Sequence, residues 1–339
     1  MRRRPGAHPY GRHRARLVLM VGLLVAMAGL AGCGGAPESV GFSVSCAGEG
    51  AGVSSGPASG IAAAGARTVP GKVLHTTTST LVLVPVCLSG HGPYPFILDT
   101  GADRSLVDQK LANRLHLVST GAALPATGVG CTATAGQVWV RGWSLGDVPL
   151  QSQPLMSLSM AGPPGGTGIA GLLGSDVWSR FGRFRLNYRS GQVTLPGPEH
   201  ATAPTTAPTP SGKSVPMTVI HPRSGTLALV PVTINGHPPL RFAVDTGSTH
   251  SVLDRAIAQR WGLPTTGRAQ QVSGVSCTAT AQPVHVDSWQ AGTIALPEQN
   301  LDSITLPIPD LAGLIGSDVL YHYGSITIDY AASRLILTE

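Results

Sequence analysis

One stretch of this sequence occurs twice, and the repeat limits the possible folds more than any other feature. The first copy runs Phe96-Ile97-Leu98-Asp99-Thr100-Gly101-Ala102-Asp103, and the second runs Phe242-Ala243-Val244-Asp245-Thr246-Gly247-Ser248-Thr249. Each brings an apolar, strand-like run to a carboxylate and then into a Thr-Gly turn. Asp99 and Asp245 are 146 residues apart, and the same offset relates Cys131 to Cys277. Around those cysteines, Gly128-Val129-Gly130-Cys131-Thr132-Ala133-Thr134-Ala135 and Gly274-Val275-Ser276-Cys277-Thr278-Ala279-Thr280-Ala281 differ at one position. A third block, Ala170-Gly171-Leu172-Leu173-Gly174-Ser175-Asp176-Val177, returns as Ala312-Gly313-Leu314-Ile315-Gly316-Ser317-Asp318-Val319 at an offset of 142. Copy one therefore carries four extra residues, and the Gly/Pro run from Ala161 to Gly168 is where a loop can absorb them. Self-similarity at a fixed offset marks duplicated structural units. A chain of 339 residues accommodates two of ordinary domain size.

The charge is unevenly placed. Six of the 23 basic residues are arginines within residues 1–32, which contain no acid. The remainder balances 17 basic against 17 acidic residues, so nothing suggests a nucleic-acid surface. Behind the arginines, the apolar run Leu17 to Leu30 has the length of a signal core and is short for a membrane span. It ends in Leu30-Ala31-Gly32-Cys33, which resembles a bacterial lipobox. That resemblance implies cleavage before Cys33 and lipid on its sulfur, with the mature chain exported and anchored to the outer face of the cytoplasmic membrane. The alternative is an ordinary signal peptide followed by a chance cysteine.

The domain reading is a signal peptide at 1–32, a flexible spacer at 33–71, a first lobe at 72–195, a Pro/Thr/Ala linker at 196–213 and a second lobe at 214–339. The spacer is Gly, Ala and Ser with few large apolar residues, a composition that buries little surface. In the first lobe, Leu81 to Val86 and Phe96 to Leu98 read as strands with Ser89-Gly90-His91-Gly92 between them as a turn. A short helix is expected from Val107-Asp108 through Leu115, with Asp108 as its cap and Asp254 as the counterpart in lobe two. Strands are expected at Gln137 to Val140, Val148 to Leu150, Phe184 to Tyr188 and Gln192 to Leu195.

Each copy resembles the retropepsin-like aspartic peptidases, and two in one chain resemble the bilobed pepsin arrangement. The matching features are the Asp-Thr-Gly-Ala/Ser turn, Ser-Leu-Val-Asp or Ser-Val-Leu-Asp downstream, a flap region around Cys131 and Cys277, and the apolar-apolar-Gly blocks Leu172-Leu173-Gly174 and Leu314-Ile315-Gly316. The resemblance implies an all-β fold of two lobes about a pseudo-twofold axis, with few short helices. It also implies an aspartic endopeptidase that uses Asp99 and Asp245, is complete as a monomer, needs no cofactor and takes a peptide or protein substrate. Two carboxylates about 3 Å apart share one proton, because like charges that close cannot both ionise. The ionised member takes a proton from water and the protonated member donates to the substrate carbonyl. Thr100 and Thr246 are expected to lock the two turns together, and Gly101 and Gly247 to permit them. Ala102 follows the first turn and Ser248 the second. A Ser248 hydroxyl donating to Asp245 would make that residue the ionised member. The flap and cleft residues implied are Gly128, Val129, Gly130, Cys131, Gly274, Val275, Ser276 and Cys277, though Cys-Thr-Ala-Thr-Ala replaces the family's glycine-rich tip.

Other repeated residues have plainer readings. Asp176 and Asp318 follow Gly-Ser at the start of expected short helices, where an acid complements the N-terminus. His91 and His237 sit in expected turns, and Trp139, Trp143, Trp178, Trp261 and Trp289 read as core or groove wall. No His/Cys cluster has metal-ligand spacing, and there is no Gly-x-Ser-x-Gly or phosphate loop. With Cys33 assigned to lipid, four cysteines remain for disulfides in an exported protein. One arrangement joins Cys131 to Cys277 across the flaps and Cys46 to Cys87. The other leaves each flap cysteine a small buried residue. A non-catalytic cleft that binds peptide or envelope polymer on the same scaffold is the second functional reading.

Overall fold

The computed structural model describes residues 41–46, 65–75, 80–129, 131–160, 168–197, 212–222, 225–275, 278–306, 308 and 310–339, together with Val18–Leu19 and Val25–Ala26. The signal-core reading of the N-terminal segment, Cys33 and the Pro/Thr/Ala linker fall essentially outside these residues. The short strands Val18–Leu19 and Val25–Ala26 add to the outer flap strands of lobe one and lobe two.

Two β-lobes repeat one layout, and a six-stranded sheet between them takes three strands from each. In lobe one, Thr80–Leu88 is buried along its whole length. Its even-numbered residues Val82, Val84, Val86 and Leu88 enter the main core, while Leu81 and Leu83 enter a separate apolar cluster. That division follows from the alternation of side chains along a strand, and burial on both faces explains why nine residues in a row are apolar or small. The strand pairs antiparallel with His91–Leu98, which delivers Asp99. Gly171–Leu173 lies parallel to Phe96–Leu98 and antiparallel to Leu106–Asp108. A Cβ on Gly171 would collide with the Leu106 carbonyl and the Phe96 ring, so the first glycine of the repeated block is as constrained as the last. Lobe two repeats this with Leu227–Ile234, Leu240–Val244, Val252–Asp254 and Gly313–Ile315.

The central sheet locates the axis. Arg183–Asn187 pairs antiparallel with Ser325–Asp329, and Arg185 faces Thr327, its own repeat equivalent. Two equivalent residues can face each other only where the pseudo-twofold passes.

Several local expectations shift. The turn after Thr80–Leu88 is only Ser89-Gly90, with both residues at positive φ. His91 and Gly92 already belong to the next strand, so that turn is shorter than the sequence suggested. The helix is Gln109–Arg114, and Val107 lies within the strand Leu106–Asp108 that precedes it. Asp108 caps it by accepting from the N–H groups of Lys110 and Leu111, as Asp254 does from Ala256 and Ile257. Lobe one gains Arg67–Val69, ahead of Lys72, because this strand pairs with Val193–Leu195. The spacer is also not wholly detached. Cys46 and Cys87 form the disulfide expected from the sequence, and Phe42 packs on the cluster around Leu83 and Ile97.

Candidate active site

Asp99 and Asp245 each follow the last residue of a fully buried strand end, and each is itself fully buried. The hairpins that carry them bring the two Thr-Gly turns together on the axis. Thr100 Oγ1 donates to the Val244 carbonyl at 2.7 Å, and Thr246 Oγ1 donates to the Leu98 carbonyl at 2.7 Å. Each hydroxyl also accepts the other threonine's N–H at 3.1 Å. Four bonds thus tie together the residues that flank the carboxylates.

The glycines after the threonines have a steric reason that turn geometry does not supply. A Cβ on Gly101 would run into the Asp245 carboxylate, and one on Gly247 into the Asp99 carboxylate. Each lobe's turn is therefore the floor beneath the other lobe's acid. The two carboxyls lie near enough for the charge of one to act on the other. Neither Oδ2 atom accepts from an N–H or hydroxyl among the described residues, so a proton shared between the two acids is the donor left to them.

The pair is electrostatically unequal. Burial raises both acids above the ordinary carboxylate range, since the charged form loses its water. Asp99 is raised by burial and then by the charge of Asp245. Asp245 Oδ1 accepts from the N–H groups of Gly247 and Ser248, each at 3.0 Å, whereas Asp99 Oδ1 accepts from Ala102 N–H at 2.9 Å. The direction read from the sequence is thus the direction the geometry favours, but the cause differs. The Ser248 hydroxyl donates to the His250 carbonyl at 2.7 Å and not to Asp245, because the tight turn folds the side chain back along the loop. Backbone N–H groups supply the stabilisation instead.

A supporting layer escaped the sequence reading. Ser175 Oγ donates to the Thr100 carbonyl at 2.9 Å, and Ser317 Oγ to the Thr246 carbonyl at 3.0 Å. Ser175 also contacts the Tyr330 hydroxyl at 2.8 Å across the lobe boundary. Asp176 and Asp318 do more than sit at helix starts. Asp176 accepts from Ser105 and Gln153, and Asp318 from Ser251 and Gln299. These bonds clamp the strand after each dyad turn to the Gly-Ser-Asp block, and the twice-repeated Gly-Ser-Asp was the available signal. Lobe two alone adds a buried acid, Asp302, where lobe one has Met156; burial raises both Asp302 and Asp318.

The flaps are the hairpins Val118–Gly128 with Cys131–Val140, and Gln270–Ser273 with Thr278–His285. Val129 is buried in lobe two's cluster with Leu229 and Leu314, and Val275 in lobe one's cluster with Leu83 and Leu172. The tips therefore cross over, each seated in the opposite lobe. Gly128 and Gly274 lead into these tips. Gly130, Ser276, Cys277 and the Cys131 side chain lie outside the described residues, and with them the Cys131–Cys277 bridge. Trp143, Trp178 and Trp289 are core residues. Trp261 stacks flat on His237 with ring centroids 4.2 Å apart.

The family model described as aspartyl protease matches residues 84–177 and 230–319. Among solved structures, basic 7S globulin from soybean matches with a TM-score of 0.39 and 13% identity, over 80% of this chain and 94% of that one. A retropepsin-like aspartic protease from Rickettsia conorii matches with a TM-score of 0.25 and 20% identity, over 38% of this chain and 90% of that one. No curated protein sequence matches the chain.

Proposed function

The chain belongs to the aspartyl protease family, and from that premise we propose that it is an aspartic endopeptidase complete within one chain. The observation that carries the proposal is the pair of buried carboxyls, one from each lobe, each set against the other lobe's Thr-Gly turn. In this reading Asp245, supported by two backbone N–H groups, is the ionised member and takes a proton from the attacking water. Asp99 keeps its proton and donates it to the substrate carbonyl oxygen. The substrate is an extended peptide held beneath the flaps, which must release Val129 and Val275 from the opposite lobes to admit it. Lipid on Cys33 would hold the enzyme at the outer face of a bacterial cytoplasmic membrane, a reading that rests on the sequence alone. Loss of fatty-acid labelling in Cys33→Ser protein tests that part.

The closed flap tips favour one second reading, a cleft that binds peptide or envelope polymer without cutting it. Incubating a mixed peptide pool with wild type, Asp99→Asn and Asp245→Asn proteins separates the two. Cleavage by wild type, with a loss of 10³-fold or more in either variant, supports the enzyme. Retention of peptides without new termini supports the binding protein, and normal cleavage by the Asp245→Asn protein would end the dyad assignment.

A further inference from the structure

Behind lobe one, away from the dyad and flaps, lies a cavity of about 440 Å³. It sits between the outermost strand of the central sheet, Arg67–Val69, the outermost strand of the lobe-one sheet, Val148–Leu150, and the turn that follows the helix Ser175–Trp178. Val148, Leu150, Phe181 and Leu195 supply apolar wall, and Arg67 and Arg180 line the same space. None of its lining residues is an acid. Arg180 meets Gln151 Oε1 at 3.4 Å and otherwise acts only through its charge on the buried Asp176, which does not line the cavity, and Arg67 has no acidic partner among the described residues.

Lobe two shows how the duplicated design fills the equivalent positions. Lys213 stands where lobe one has Arg67, and it pairs with Glu339 at 2.7 Å. The position of Glu339 is Gly197 in lobe one, so the acid is missing there. Tyr323 replaces Phe181, and its hydroxyl reaches the Ala295 carbonyl at 3.3 Å. Arg180 becomes His322. Copy two thus neutralises its cation internally and spans the gap with a phenol. Copy one lines its cavity with two cations, an apolar floor and, among the described residues, no acid.

We propose that this cavity binds a single-chain carboxylate, a fatty acid whose head pairs with Arg67 and Arg180 and whose alkyl tail lies on Val148, Leu150, Phe181 and Leu195. The volume lies within the range of small-ligand sites. Guanidinium groups match carboxylates in geometry and charge, and the walls ask for a body without polar groups. A peptide ending in a carboxylate fits less well, because its amides would be desolvated against carbon with few partners. The site shares no residue with the dyad, so the proposal stands apart from the catalytic reading.

Calorimetric titration of the purified full chain in detergent-free buffer tests it, using dodecanoate, dodecanol and a tripeptide with a C-terminal leucine. Dodecanoate should bind saturably with one site and at least tenfold more tightly than dodecanol. The double variant Arg67→Gln/Arg180→Gln should lose at least tenfold for dodecanoate and keep its dodecanol affinity. Leu150→Trp, which fills the cavity with both arginines intact, should abolish binding of either alkyl ligand. Thermal melts matched to wild type certify that the variants are folded. Absence of saturable dodecanoate binding to wild type, equal affinity for dodecanol, or full affinity in a folded double variant overturns the proposal. Tighter binding of the tripeptide also overturns it and reassigns the site to peptide C-termini.

Discussion

At the scale of single residues, the dyad is held by groups that have few substitutes. Thr100→Val removes the donor to the Val244 carbonyl and the acceptor for Thr246 N–H, both buried. Leaving two buried groups unpaired costs about 2–6 kcal/mol. Urea unfolding should show that loss, and Thr100→Ser should recover most of it; equal stability of the two variants would remove the lock from the account. Titration gives a second prediction. Both dyad acids have folded values raised above their unfolded ones, so the folded state holds protons that the unfolded state releases. That contribution to stability is complete below about pH 4 and fades as the pH rises toward the folded values, about 7 for Asp245. The melting temperature of wild type should therefore fall between pH 4 and 7 more steeply than that of Asp99→Asn protein, and parallel slopes would contradict the raised values. A third concerns Ser248. Its hydroxyl serves the loop through the His250 carbonyl, so Ser248→Ala should leave the acidic limb of the pH–rate profile unmoved while melting a few degrees lower. Here the sequence announced the residue and not its partner. A hydroxyl three positions after a carboxylate can turn to it or to the loop, and only the folded loop decides which.

At the scale of elements, the flap hairpins and the Gly-containing blocks were readable because each carries a repeated local signature. The Gly171–Leu173 insertion beside the Asp99 strand follows from a glycine that no Cβ could replace. Arg67–Val69 was not readable, because its partner Val193–Leu195 lies more than a hundred residues away and three residues carry no periodicity. Nor could the crossing of the flap tips be seen, since Val129 and Val275 are apolar in either arrangement. Their burial makes flap closure an apolar packing event between lobes. Val275→Ala leaves a gap in lobe one's cluster, with a cost of about 1–2 kcal/mol by comparison with other core truncations. Amide exchange in the hairpin Gln270–Ser273 with Thr278–His285 should then accelerate by about tenfold, with exchange in the core strand Leu227–Ile234 unchanged. Uniform acceleration across both would mean that the valine supports the whole lobe and not the closed flap.

At the scale of the whole molecule, the question is why one chain carries two lobes when a single lobe could in principle pair with a copy of itself. The central sheet answers it. Arg185 faces Thr327 and donates to Ser325 Oγ at 2.8 Å. In a pair of lobe-one copies, Arg185 would face Arg185, and the place of Ser325 would be taken by Arg183. Like charges directly opposite on antiparallel strands are destabilising, and here two arginines from each copy would crowd one axis. Lobe two has no such conflict, since Thr327, Ser325 and Asp329 occupy the same places. Asp329 even meets Arg183 across the pair in the register of the intact chain. The duplicated halves have therefore diverged into complementary partners. Expressed separately, residues 65–197 and 212–339 should combine as a one-to-one complex when mixed, and residues 65–197 alone should remain monomeric at concentrations where the mixture associates. Light scattering on the separated and mixed fragments reads both outcomes. Replacing Arg183 and Arg185 by Ser and Thr, the lobe-two residues at those positions, should let lobe one pair with itself; a fragment that already dimerises with both arginines in place would show that the central sheet does not choose its partner by charge.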